Sequence, residues 1–248
     1  MNQRLLWLLL LIPIVGFLVF FVLMYCQKSK GEIYRCPIGI MPSPDPSLTR
    51  LWTKSSKPQM GFIENFFTKE ECKDLIQIFK DDEKRQKESR VRSKNGGSTV
   101  KKDHRNSTTL YADKKSPRFQ AIIQKISNLF GLPPSHFESP QFTYYTKGGF
   151  FKPHLDHSLK NPKSFRVMSV FIYLNDNFEG GETHFTQLNY TVKPKQGMAV
   201  WWLNVDPSSR TLLTSTKHEG KVVQRGEKYG MNIWIRNIPY APKSTKSS

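Results

Sequence analysis

The chain has 248 residues and carries 38 Lys and Arg against 20 Asp and Glu, a formal net charge of +18. That length holds one sizeable core with little left for a second, and the charge points to nucleic acid, an anionic membrane surface or an acidic substrate. Cys26, Cys36 and Cys72 make no CxxC pair, which excludes a disulfide framework and a thiolate zinc site and leaves histidine and carboxylate as metal ligands.

Residues 5–25, LLWLLLLIPIVGFLVFFVLMY, are uncharged and long enough to span a bilayer as a helix. No small-residue cleavage pattern follows, so an uncleaved transmembrane signal anchor is expected. Lys28, Lys30 and Arg35 follow the span while only Arg4 and the amino terminus precede it, which by the positive-inside rule puts the rest of the chain in the cytoplasm. Residues 26–59 include GEIYRCPIGIMPSPDPSLTR and read as a linker. A folded domain is expected over 60–241, with a short tail over 242–248.

Inside that domain TKEECKDLIQIFK opens with a capping box, Thr68 to Glu71, and carries Cys72, Leu75, Ile76 and Phe79 at helical spacing, the pattern of an amphipathic helix. The basic run from Lys80 to Arg105 contains Gly96 and Gly97 and few apolar anchors, so a solvated, mobile segment is expected. A second helix starts with Ser116 as cap and Pro117 at its first position, buries Phe119, Ile122, Ile123, Ile126 and Phe130, and ends at Gly131. From Gln141 the pattern turns to strands: QFTYY, FRVMSVFIYL, GMAVWWL and KYGMNIWIR are rich in β-branched and aromatic residues. Helices followed by strands imply a mainly β core with flanking helices packed outside an antiparallel sandwich or barrel. Its mouth is a natural pocket for a small co-substrate.

The stretch FFKPHLDHSLKN places His154, Asp156 and His157 within four residues. In a strand His154 and Asp156 point the same way and His157 the other. An imidazole and a carboxylate on one face are two thirds of a facial triad for non-haem Fe(II). The third ligand has to come from His104, His136, His184 or His218. His184, in GGETHF, is a competitor. His218 precedes a strand in which Lys228, Gly230, Asn232, Trp234 and Arg236 share a face, so Lys228 can point into the same interior. A lone ammonium there is costly unless it meets an anion.

The ordered set YTKGGFFKPHLD, RVMSVFIYLND, GGETHF, VKPKQGMAVWW and HEGKVVQRGEKYGMNIWIR resembles the 2-oxoglutarate- and Fe(II)-dependent prolyl 4-hydroxylases, in the short single-chain form of plants, algae and large DNA viruses. The resemblance covers Met60 to Tyr240. It implies a double-stranded β-helix, or jelly-roll, with His154, Asp156 and His218 on the iron and His157 and His184 as bystanders. It implies that Lys228 pairs with the distal carboxylate of 2-oxoglutarate, that Tyr145 and Thr183 hydrogen-bond the co-substrate, and that Trp234 walls the pocket. Arg105 and Ser107 match an Arg-x-Ser segment in a loop that closes over the peptide, and Glu138, Arg166 and Arg236 stand at peptide-contacting positions. Gly149 and Phe151 depart from the usual Gln and Tyr, which puts peptide specificity in doubt and leaves the iron chemistry intact.

The resemblance further implies Fe(II), 2-oxoglutarate and O2 as reactants, ascorbate as the agent that rescues oxidised iron, and hydroxylation of a proline-rich or collagen-like peptide. It implies a lumenal, type II arrangement in the endoplasmic reticulum, the reverse of what the flanking charges indicate. Two alternatives stay open. One is a dioxygenase of the same chemistry on another substrate, a nucleic-acid demethylase or a lysyl hydroxylase. The other is a non-catalytic membrane-anchored binding module. Lys228, where demethylases usually have arginine, and the membrane span argue against nucleic acid as partner; an intact His154, Asp156, His218 and Lys228 argues against a degenerate module.

Overall fold

The β-rich half of the sequence folds into two facing antiparallel sheets. The computed structural model describes residues 50–52, 60–92, 98–157 and 164–240. The major sheet has eight strands in the order Arg50–Trp52, Met60–Ile63, Ala199–Leu203, Arg166–Tyr173, Lys228–Arg236, Gln141–Tyr145, Thr108–Tyr111 and Lys87–Glu88. The minor sheet has five, in the order Tyr190–Thr191, Thr183–Phe185, His218–Gly220, Phe150–His154 and Arg105–Asn106. Arg50–Trp52, within the segment read as linker, pairs with Met60–Ile63.

Alternation along the central strands assigns the two faces of the major sheet. Ala199, Trp201 and Leu203, with Tyr229, Met231, Ile233 and Ile235, pack into one cluster with the helices. Val200 and Trp202, with Phe171 and Tyr173, pack into a second cluster with Phe185 and Val192 of the minor-sheet side. The central strands are therefore covered on both faces, which is why they read as apolar runs. Two β layers with helices outside match the expected jelly-roll arrangement.

Helix α1 (Lys69–Asp81) starts at the predicted capping box: Glu71 N–H donates to Thr68 Oγ1 at 3.1 Å and Thr68 N–H to Glu71 Oε2 at 2.7 Å, a cap of about 1 kcal/mol. Helix α2 (Pro117–Phe130) buries the predicted stripe and ends at Gly131, whose φ of 63° lies in the left-handed region. Ser116 stands at its cap position without a side-chain capping bond. The apolar run over 5–25 lies outside the described residues. Among the described residues no helix is long and apolar enough to cross a membrane.

Candidate active site

His154 ends one minor-sheet strand and pairs in register with His218, which opens the antiparallel neighbour. Their ring centroids are 4.3 Å apart. Asp156 follows in the turn, with Oδ1 3.7 Å from His154 Nε2. One donor atom of each of the three residues lies within 4.8 Å of the others. The His154 Nδ1 is 2.9 Å from Lys152 O and the His218 Nδ1 is 3.0 Å from Thr216 O. A carbonyl only accepts, so each Nδ1 carries the proton and each Nε2 is left as a donor for a metal. Burial pushes the His154 imidazole well below its usual range and keeps it neutral. Burial acts to raise the Asp156 carboxyl, but His218, His154 and Arg166 outweigh it. Ser169 Oγ donates to Asp156 Oδ2 at 2.6 Å, and Asn204 Nδ2 donates to Ser169 Oγ at 3.0 Å. Two imidazoles and one ionised carboxylate, each oriented from behind, fit an Fe(II) facial triad.

The other histidines stand apart. His184 sits on the opposite strand face from Thr183 and Phe185, with Nδ1 2.9 Å from Thr191 Oγ1. His157 turns its ring edge-on to Phe165, centroids 5.1 Å apart.

Lys228 opens its strand opposite Tyr145 and is buried. Its Nζ donates to Gly181 O at 2.6 Å and lies 4.8 to 5.3 Å from the ring centroids of Tyr145, Phe171 and Tyr173. Burial drags this ammonium down to about 7, with Glu182 acting to raise it and Arg105 to lower it. Gly181 brings its carbonyl here through a left-handed φ of 68°, a conformation that costs glycine little. Thr183 Oγ1 accepts from Tyr173 Oη at 2.8 Å, and Thr183 N–H donates back to that oxygen at 3.1 Å. Lys228, Tyr145, Thr183 and Trp234 line one chamber with the three candidate ligands. Arg105 Nη2, Trp202 Nε1 and Trp234 Nε1, on residues of the same chamber, are buried donors without a hydrogen-bond partner. A buried cation and three such donors suit a small, oxygen-rich dianion. 2-Oxoglutarate fits that description.

The chamber adjoins a cleft of about 880 Å³ lined by Arg105, Phe151, Arg166, Trp234 and Arg236. Arg105 is not in a mobile loop, as its sequence context suggested. It is 5% exposed, in a strand paired with Phe150 and Phe151. Its Nε donates to Ser107 Oγ at 2.9 Å, and Ser107 donates to the buried Ser89 Oγ at 2.7 Å. Strand pairing and these serines replace the apolar anchors that the segment lacks. The Arg105 guanidinium lies 4.6 Å from the Phe151 ring centroid, and Phe151 stacks on His154 at 3.6 Å. Arg105 thus borders the chamber as well as the cleft.

Glu138 also differs from its sequence reading as a peptide contact. Both its oxygens accept from Arg166 at 2.8 Å, and Oε1 accepts from Arg236 Nε at 2.8 Å. Burial would raise this carboxyl, yet the two guanidiniums hold it below its ordinary value. Glu138 therefore fixes the arginines that face the cleft. Arg166 in turn lies 3.7 Å from the Trp234 ring centroid. The glycine at 149 has a local reason: an added Cβ would meet Thr146 O at 2.8 Å and Asn106 O at 3.0 Å.

Sequence reasoning missed Ser169, Asn204, Tyr173 and Trp202. A lone serine inside the apolar strand Arg166–Tyr173 was the one available signal, because a buried hydroxyl needs a partner.

A jelly-roll carrying two histidines and a carboxylate beside a buried lysine defines a non-haem iron oxygenase that uses a dicarboxylate co-substrate. A family model described as 2OG-Fe(II) oxygenase superfamily matches residues 140–236. Probable prolyl 4-hydroxylase 10 of Arabidopsis thaliana is 31% identical over 221 residues, covering 79% of this chain and 75% of that protein. A putative prolyl 4-hydroxylase of Acanthamoeba polyphaga mimivirus is 29% identical over 149 residues, 56% of this chain and 62% of that protein. Among solved structures, the viral collagen prolyl hydroxylase of Paramecium Bursaria Chlorella virus-1, in its 2OG complex, superposes with a TM-score of 0.59 at 27% identity, covering 75% of this chain and 100% of that one. The chain belongs to the prolyl 4-hydroxylase family of 2OG-Fe(II) oxygenases.

Proposed function

We propose that the protein hydroxylates C4 of prolyl residues in an extended, proline-rich or collagen-like peptide, consuming 2-oxoglutarate and O2 and releasing succinate and CO2. The observation that carries this reading is a single chamber holding His154, Asp156, His218 and Lys228 and adjoining an arginine- and aromatic-lined cleft. The names of the relatives, prolyl 4-hydroxylase and collagen prolyl hydroxylase, support it.

When bound, Fe(II) with 2-oxoglutarate and O2 supplies the oxidising power to place a hydroxyl on an unactivated C–H. The residues of this chain supply position and shelter. Two Nε2 atoms and the Asp156 carboxylate would hold the metal. Lys228 would hold the distal carboxylate of the co-substrate, with Tyr145 and Thr183 beside it. The rings of Phe171, Tyr173, Trp202 and Trp234 exclude water from the reacting centre. Arg166 and Arg236, fixed by Glu138, with Arg105, whose Nε is held by Ser107, would donate to peptide carbonyls, which a polyproline II chain leaves free. Ascorbate is the proposed reductant for iron oxidised without peptide turnover. The uncharged run over 5–25 supports a single-pass anchor, and the family resemblance, against the flanking charges, is the ground for a domain in the endoplasmic reticulum lumen.

The test is incubation with Fe(II), 2-oxoglutarate and ascorbate, separately with a proline-rich peptide and a methylated oligonucleotide. One added oxygen on proline, located by mass spectrometry, is the expected result. Succinate release driven by the oligonucleotide alone would overturn it.

A further inference from the structure

The cleft holds more cations than the arginines that face the chamber. Its lining includes Arg85, Lys87 and Arg90 as well as Arg105, Arg166 and Arg236. The nearby acids are already engaged. Glu138 serves Arg166 and Arg236. Asp82 pairs with Arg85 at 2.8 Å, and Glu88 pairs with Lys102 at 2.5 Å. Asp156 belongs to the candidate metal site. Arg90 donates to a neutral carbonyl, Ser98 O, at 2.6 Å. Among the described residues neither Lys87 nor Arg90 has a carboxylate partner. Elsewhere on this basic protein cations do find partners, as in Arg118–Asp74 and Lys195–Glu64.

Tyr111 also lines the cleft and is 53% exposed. Its hydroxyl accepts from Gln141 Nε2 at 2.7 Å, and its carbonyl accepts from Arg85 Nη2 at 2.7 Å. The phenol is therefore tethered by Gln141 in the cleft that these cations also line. An aromatic face flanked by positive charge suits a proline ring next to a carboxylate.

We propose that the cleft holds an anion-selective subsite, formed by Lys87 and Arg90, that takes a carboxylate side chain of the substrate peptide and makes the enzyme selective for acidic proline-containing sequences. The proposal rests on the prolyl hydroxylase reading for its substrate and on the cleft charges for its selectivity.

The experiment uses the full chain and three fluorescent peptides sharing one proline-rich core, flanked on both sides by Glu, Ala or Lys. Affinity is read by anisotropy, and proline hydroxylation is read in parallel by mass spectrometry. At about 50 mM salt the Glu peptide should bind about tenfold more tightly than the Lys peptide, and the gap should shrink at about 0.5 M salt as exposed charges are screened. The double variant Lys87→Glu/Arg90→Glu should reverse the order, binding the Lys peptide better. Equal binding of Glu and Lys peptides, or an order that survives the charge reversal, overturns the subsite. Charge preference without oxygen on any proline supports the subsite and refutes the prolyl reading. Hydroxylation of all three peptides with no charge preference does the opposite.

Discussion

At the scale of single residues, the Nδ1 atoms of His154 and His218 each meet a backbone carbonyl, at 2.9 and 3.0 Å, and that contact turns two common side chains into candidate ligands. His184 shares its Nδ1 with a threonine on the far face of its strand. Replacing His154, Asp156 or His218 by Ala should lower succinate release by about 100-fold or more, while His184→Ala and His157→Ala keep most of it. An inactive His184→Ala with an active His218→Ala would show the wrong third ligand. Lys228 gives a pH signature. Its ammonium is drawn from 10.5 to about 7 by burial, and the co-substrate carboxylate needs it charged. Affinity for 2-oxoglutarate should therefore fall as pH rises above about 7, by up to about tenfold per unit, and Lys228→Met should bind weakly with no such slope. Quenching of tryptophan fluorescence on titration reads both. The sign for stability runs the other way. Between about 7 and 10.5 the unfolded chain holds a proton that the folded, ligand-free chain has lost. The Lys228 contribution to stability therefore rises with pH across that window and is least favourable below it.

At the scale of elements, Glu138 ties three of them together: the segment before Gln141–Tyr145, the start of Arg166–Tyr173 and the end of Lys228–Arg236. Glu138→Ala would leave two guanidiniums beside each other without their anion, a loss of about 3–5 kcal/mol for a buried pair broken from one side. Chemical denaturation should show that loss, and surviving folded enzyme should use peptide poorly while its KM for 2-oxoglutarate stays near normal. A peptide KM that does not move would free Arg166 and Arg236 from any role in the groove. Because the folded carboxyl lies below its ordinary value, this contribution is present above the usual carboxylate range and is lost as pH falls through the folded value. The clamp was not legible in the sequence, although all three residues were singled out. Pairing among Glu138, Arg166 and Arg236 is set by strand register, which no local pattern encodes. The same holds for Ser169 and Asn204 behind Asp156. What could be read was local. Thr68 to Glu71 announces α1, Pro117 and Gly131 bracket α2, and alternation along the strand of Lys228 places it with Trp234 on one face. The strand that holds Arg105 was not legible for a related reason: composition shows too few apolar anchors, but it cannot show the buried Ser89 that receives Ser107.

At the scale of the whole molecule, the site is built across the gap between the layers. His154 and His218 hang from the minor sheet, whereas the Ser169 that holds Asp156, and Lys228 itself, belong to the major sheet. A metal and a dicarboxylate that bind there bind only the assembled sandwich, so their binding energy adds to folding. Saturating the protein with Mn(II) and 2-oxoglutarate should raise Tm by about 5–10 °C, the size expected for ligand at about a hundred times its Kd in a domain of this length. Chelation should reverse the rise, and His218→Ala should not show it. An unchanged Tm in wild-type protein would mean that the layers are held without help from the site. The consequence reaches beyond catalysis. A population starved of iron or of 2-oxoglutarate would open its two layers more often, and opened chains are what cellular proteases remove. The amount of enzyme would then follow nutrient supply through its rate of turnover, with no dedicated sensor needed.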